Sequence, residues 1–220
     1  MVKKTVSTTQ KMLNTWAIVL ILWAIYRAYF KIDLPVWFDE FFAKPAIFLI
    51  PIFYFVTKIE RQKFLPAVDF KRKNLGQSIL FGLAAGSFFL VTGFIVNYMK
   101  NGEITFPNSI VSSKFIYIII ISLASSFSEE ILSRGFILKR LHAESKSIVQ
   151  SVFFASFLFF FLHIPILFTD SSLFGATLVQ VMITDILLSF AVSLLYFQQK
   201  NVVVPIIVHA FYNISLYLFI

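Results

Sequence analysis

Residues 115–138 read FIYIIIISLASSFSEEILSRGFIL. A bilayer-spanning helix needs roughly 20 mostly apolar residues. This stretch supplies them while carrying Glu129, Glu130 and Arg134 in its second half. Ionisable groups in hydrocarbon are costly and normally face a bundle interior with a partner. The stretch therefore predicts a membrane helix packed among others.

Working outward, the same criterion predicts about seven spans, at Thr15–Phe30, Phe41–Thr57, Leu75–Tyr98, Phe115–Leu138, Ile148–Phe168, Ser172–Phe197 and Val202–Ile220. The fold class expected is an all-α polytopic membrane bundle, one transmembrane domain over residues 1–220. The first two spans are short, and short spans thin the bilayer or tilt little. The stretch Lys58–Asn74 has room for a half-buried helix. Composition agrees: 59% of the 220 residues are hydrophobic and 14% charged, where soluble domains carry roughly 25% charged. There is no Cys, which excludes disulfide and thiolate chemistry. The polar, basic start Met1–Lys11 is not followed by a short apolar region with a small-residue cleavage site, so no cleaved signal peptide is expected.

The loops give an independent check. Sorted alternately, one set (the N-terminal tail, Lys58–Asn74, Lys139–Ser147 and Gln198–Asn201) holds Lys3, Lys4, Lys11, Lys58, Arg61, Lys63, Lys71, Arg72, Lys73, Lys139, Arg140, Lys146 and Lys200. The other holds Lys31, Lys100 and Lys114, with Lys44 just inside the second span, and also Asp33, Asp39, Glu40, Glu103 and Asp170. The positive-inside rule then puts the N-terminus in the cytoplasm of a multi-pass cell-membrane protein. The net charge of +8 accordingly reads as topology and contact with anionic lipid, and no nucleic-acid partner is expected.

Charged and polar residues recur inside the other spans. Phe159 and His163 lie in the fifth, His209 and Asn213 in the seventh, and Asp185 in the sixth. Glu130 and Arg134 are four apart with Glu first, the favourable order for a pair on one helix face. Glu129 points about 100° away from Glu130, so one can pair with Arg134 while the other faces a cavity. Ser122, Ala124, Ser125, Ser126 and Ser128 leave room for a close neighbour helix. Each feature also has a plainer reading. Glu130–Arg134 alone is a structural clamp, His163 alone a core residue bonded to a carbonyl, and His209–Asn213 a helix-joining pair. Asp185 either caps a break or pairs with a His, and His142, in a basic loop, reads as a surface residue. A Glu pair, two His and an Asn on three helices together favour one polar site.

These residues resemble the motifs of the CPBP family, the CAAX proteases and bacteriocin-processing (Abi) enzymes. The family pattern is EExxxR, then FxxxH, then HxxxN or HxxxD, each on a membrane helix. Glu129, Glu130 and Arg134 match the first, Phe159 and His163 the second, His209 and Asn213 the third. The run from Leu194-Leu195-Tyr196 through Val204-Pro205-Ile206 to His209 is similar too, with Ser193 where the family often has Gly. The resemblance covers a protease core over about 115–213; the first three spans match nothing recognisable.

The resemblance implies an intramembrane endopeptidase acting on a membrane-associated peptide, lipidated or of bacteriocin or pheromone type. Glu129 would be the base that activates water, His163 would hold that water, and His209 and Asn213 would bind the oxyanion. Glu130, Arg134 and Phe159 would support them. Glu129, His163 and His209 also have the composition of a catalytic Zn2+ shell, but the oxyanion role of His209 and Asn213 favours a metal-free site with no cofactor. In either version Glu129, His163 and His209 are expected to converge within roughly 4–8 Å. The alternative is a non-catalytic immunity or scaffold protein. A proton-coupled transporter ranks last, because matched half-repeats are not evident in the chain.

Overall fold

The computed structural model describes residues 7–31, 34–103, 114–169 and 175–219. Among them every regular element is helical. They are α1 (Thr8–Phe30) and α2 (Val36–Ile59), a short α3 (Phe64–Ala67), α4 (Leu75–Asn101), α5 (Lys114–Ser145), α6 (Ile148–Thr169), α7 (Gly175–Gln199) and α8 (Val203–Phe219). Six are long and apolar enough to cross a membrane, and α8 is an apolar helix of 17 residues. This is the all-α polytopic bundle expected. Lys3, Lys4, Asp33 and Asp170 of the charge pattern, and the span ends Ser172 and Ile220, lie outside the described residues.

Several boundaries differ from expectation. The first two spans are not short: α1 has 23 residues and α2 has 24, so no thinning of the bilayer is needed. The Ser7 hydroxyl accepts from the Gln10 N–H at 3.1 Å and starts α1 among polar residues, as an N-cap does. Extended Pro35 precedes α2, which takes in Asp39 and Glu40 as helical residues. Asp39 tolerates its burial because it accepts from the Tyr26 hydroxyl and pairs with Lys31 at 2.8 Å. At the other boundary, α5 runs on to Ser145, so Lys139–Ser145 is helix rather than loop. His142 is not a surface residue; it is half-buried, its ring 4.8 Å from that of Phe197.

Contacts between chain-distant residues define the two ends of the bundle. At the basic end Arg140 grips Glu60 through Nε at 2.9 Å, and the Thr9 hydroxyl donates to Glu144. The 60–74 connection, which contains α3, tucks between the helices here. Asp69 accepts from the Tyr196 hydroxyl at 2.6 Å and pairs with Lys139 at 2.9 Å, while its carbonyl accepts from the Val202 N–H at 3.0 Å. Burial alone would raise the Asp69 carboxyl, but the hydrogen bonds from Tyr196 and Lys139 and the charges of Lys139 and Lys71 outweigh it and hold it below the usual carboxylate range. Gly135 of α5 makes this fit possible: a Cβ there would lie 2.7 Å from the Val68 carbonyl oxygen. At the opposite end Arg27 of α1 donates to Thr169 of α6 at 3.2 Å and lies 3.9 Å from Asp39 of α2.

The long α4 lies closely against α8. A Cβ on Gly93 would fall 2.0 Å from the Ser215 hydroxyl, so only glycine allows this approach, the small-residue packing that membrane helices use in place of a hydrophobic drive. Beneath the polar site, Trp23, Phe48, Ile52, Phe55, Phe136 and Leu162 form one apolar core joining α1, α2, α5 and α6.

Candidate active site

Five helices, α2, α5, α6, α7 and α8, deliver the polar residues to one place. Glu129 and Glu130 end the regular part of α5, and the next turns, Ile131–Leu138, are π-helical. A second π-helical turn, Asp39–Ala43, immediately precedes Lys44 on α2. Wide turns of this kind redirect side chains and are frequent at functional sites. Both lie beside the same ion pair.

Glu130 is fully buried and does the bracing. Its Oε1 accepts from Arg134 Nη1 at 2.8 Å and from His209 Nδ1 at 2.7 Å. Arg134 in turn donates to the Ser189 carbonyl at 3.0 Å and hydroxyl at 2.9 Å on α7. Its guanidinium lies 4.7 Å from the centre of the Phe159 ring, which also sits edge-on to His163 at 4.7 Å and to His209 at 6.0 Å. The residues of the three motifs are thus interlocked, and the Phe159 ring packs against the Arg134 guanidinium and both imidazoles.

Glu129 faces the other way, as the 100° offset requires. Its Oε2 lies 3.9 Å from His163 Nε2 and 3.7 Å from His209 Nε2. The three side chains converge at the short end of the expected range. Asp185, which the sequence left unassigned, joins them: its Oδ2 is 4.0 Å from His163 Nε2. It does not cap a break, since α7 is continuous through it. Asn213 lies on the same cavity, its Nδ2 3.4 Å from the Ser126 hydroxyl. The cavity has a volume of about 670 Å³ and is bounded by Glu129, His163, Asp185, His209 and Asn213 together with Lys44.

Lys44 is the residue that sequence reasoning missed. Taken there as a topology charge, it is buried at 4% exposure and its ammonium lies 2.7 Å from Glu129 Oε1, 2.9 Å from Glu40 Oε1 and 2.8 Å from the Ser125 hydroxyl. All three of its N–H donors are used. Ser125 also donates to Glu129 Oε1, at 3.1 Å. One carboxylate oxygen of Glu129 is therefore held by Lys44 and Ser125, and the other faces the imidazoles. The signal was present: Glu40 and Lys44 are four apart with Glu first, the same pattern that identified Glu130–Arg134.

Among the described residues no group of three His, Cys, Asp or Glu side chains is arranged to hold a metal ion, and the Lys44 ammonium already compensates the Glu129 carboxylate. Glu129, His163 and His209 as they stand do not fit a metal centre. A second cavity, of about 420 Å³, lies at the basic end beside Thr8, Glu60, Lys139, Arg140 and Glu144. Its Arg140 and Glu60 are paired with each other, and buried Phe136, Ile137 and Leu138 occupy α5 between it and Glu129.

The family model described as type II CAAX prenyl endopeptidase Rce1-like matches residues 111–215. No curated protein matches the chain, and no solved structure does. The matched stretch contains Glu129, Glu130, Arg134, Phe159, His163, Asp185, His209 and Asn213, while Lys44 and Glu40 lie before it. Residues 111–215, just under half of this multi-pass membrane protein, are thus similar to the CAAX proteases of the CPBP family, in line with the motif resemblance.

Proposed function

We propose that the protein is an endopeptidase that hydrolyses a peptide bond of a membrane-associated peptide with water activated by Glu129. The observation that carries this reading is the approach of Glu129 Oε2 to His163 and His209 Nε2, at 3.9 and 3.7 Å, on a cavity large enough for a peptide segment. Two hydrogen bonds of about 2.8 Å that meet near a right angle at one water span about 4 Å.

Protonation follows from the partners. The Phe159 carbonyl, 3.2 Å away, can only accept, so His163 carries its proton on Nδ1 and presents Nε2 as an acceptor. A water between His163 Nε2 and Glu129 Oε2 then donates one hydrogen to each and directs a lone pair outward at the substrate carbonyl. Glu129 takes the proton as the C–O bond forms. His209 donates Nδ1–H to Glu130; its doubly protonated form, opposite that carboxylate, offers Nε2–H to the developing oxyanion. Asn213, one helical turn on, offers Nδ2–H to the same charge. Glu129 returns its proton to the leaving amine when the tetrahedral intermediate collapses. Lys44 and Ser125 keep Glu129 aimed throughout.

Two outcomes follow. Asn213→Ala removes one oxyanion donor and leaves the base and water in place. Cleavage by the purified protein should fall about 10²–10³-fold, the usual loss for one such donor, with KM little changed. Dialysis against a strong chelator should leave activity unchanged, and elemental analysis should find less zinc than protein. Stoichiometric zinc, lost with activity and restored with it, would instead make Glu129, His163 and His209 ligands.

A further inference from the structure

We propose that the site is entered from the outer face of the membrane, so that the substrate is a peptide segment exported to, or exposed at, the outer leaflet. This rests on the peptidase reading for its chemistry, and on the bundle alone for its direction.

The cavity is confined to one half of the bundle. At about 1.5 Å per residue, its lining residues Glu40, Ile166 and Tyr217 lie within about 3–6 Å of the helix ends at Val36, Thr169 and Phe219. Ile121, Val181 and Asn213 come next, about 9–10 Å from the ends of α5, α7 and α8. Asp185 and His209 lie about 15 Å in and Glu129 about 22 Å in, at the floor. Apart from His209, two residues past the middle of α8, every residue bounding the cavity comes from this same half of its helix. Tyr217, at 52% exposure, stands at the shallow end.

The opposite end is plugged. Val68 is wholly buried against Gly135, Asn201 is 2% exposed and donates to the Lys71 carbonyl at 3.0 Å and the Ser78 hydroxyl at 3.1 Å, and Tyr196 is locked to Asp69. Below Glu129, α5 presents Phe136, Ile137 and Leu138 with no exposed surface. A peptide has no way in among these described residues without breaking that network.

Charge fixes which end faces where. The plugged end carries most of the basic residues, among them Lys58, Arg61, Lys63, Lys71, Arg72, Lys73, Lys139, Arg140 and Lys146. At the cavity end the basic residues are fewer, Arg27, Lys31, Lys100 and Lys114, with Lys44 buried inside α2. The excess of Lys and Arg at the plugged end places that end in the cytoplasm and turns the cavity outward.

Because the chain contains no cysteine, single-cysteine variants report access directly, without a known substrate. Ser122→Cys and Leu216→Cys put a thiol on the cavity wall away from the groups assigned to catalysis, and Lys71→Cys puts one at the plugged end. The probe is a membrane-impermeant charged methanethiosulfonate added to sealed right-side-out vesicles. Ser122→Cys and Leu216→Cys should label before permeabilisation and Lys71→Cys only after it. Label on Ser122→Cys should also block cleavage. Labelling of Lys71→Cys alone from outside would overturn the proposal, as would failure of both cavity thiols to label from outside in folded protein. Loss of the peptidase reading would appear separately, as absence of cleavage by detergent-solubilised protein while the labelling pattern stands.

Discussion

Glu129→Gln is expected to abolish peptide cleavage while leaving a folded, normally abundant protein. Glutamine keeps the shape and can still accept from Lys44 and Ser125 through its amide oxygen, so the contacts at 2.7 and 3.1 Å have a replacement partner. It does not accept a proton from water at neutral pH. A positioned general base contributes about 10²–10⁴-fold, and the loss should be at least that, seen in kcat rather than KM. His163→Ala should act in the same direction, because the second acceptor of the water is gone. Detergent melting curves and membrane abundance check the folding half of the statement. A Glu129→Gln protein that keeps wild-type cleavage would remove Glu129 from the base position. Full cellular activity without cleavage would favour the immunity or scaffold reading.

Glu130→Gln is expected to act on stability first. Glu130 is 0% exposed, and its charge answers Arg134, 1% exposed, as well as His209. Removing one partner of a buried pair leaves the other uncompensated and typically costs about 3–5 kcal/mol. Whole proteins are stable by only about 5–15 kcal/mol, so the level of folded protein in membranes should drop sharply. Arg134→Met in the same chain removes the stranded charge and should restore much of the level. Activity should stay low, since His209 loses the carboxylate that orients it. A Glu130→Gln protein with wild-type abundance and melting temperature would contradict the clamp.

The fold was legible because its cause is one-dimensional. Span length and loop charge follow from bilayer thickness and the cost of moving charge through it, and both can be read off the chain. Glu129, Glu130, Arg134, Phe159, His163, His209 and Asn213 were legible because residues of those types in apolar helices need a reason, and the motif spacing supplied one. What the sequence hid was tertiary. Lys44 looked like a boundary charge because its main partner, Glu129, is 85 positions away. Only its local partner Glu40 could have indicated burial. Asp185 stayed ambiguous because its approach to His163 depends on how α6 meets α7. The start of α1 was set too far in because Thr8, Thr9, Gln10 and Lys11 read as a polar tail, and the start of α2 because Asp39 and Glu40 count against a span until their pairing is known. The sequence left room for a half-buried helix in Lys58–Asn74, where α3 lies, but the plug itself stayed hidden because Val68 and Asp69 are buried by a loop, not by a periodic helix face.

The most direct test of the central claim is a comparison of membrane-associated peptides from cells making wild-type protein and cells making Glu129→Gln at equal abundance. At least one peptide is expected to accumulate uncut with Glu129→Gln and to appear, with wild-type protein, as two fragments sharing a single new boundary. Purified wild-type protein should reproduce that cut in detergent. Identical peptide populations in the two strains, with both proteins folded and equally abundant, would contradict it.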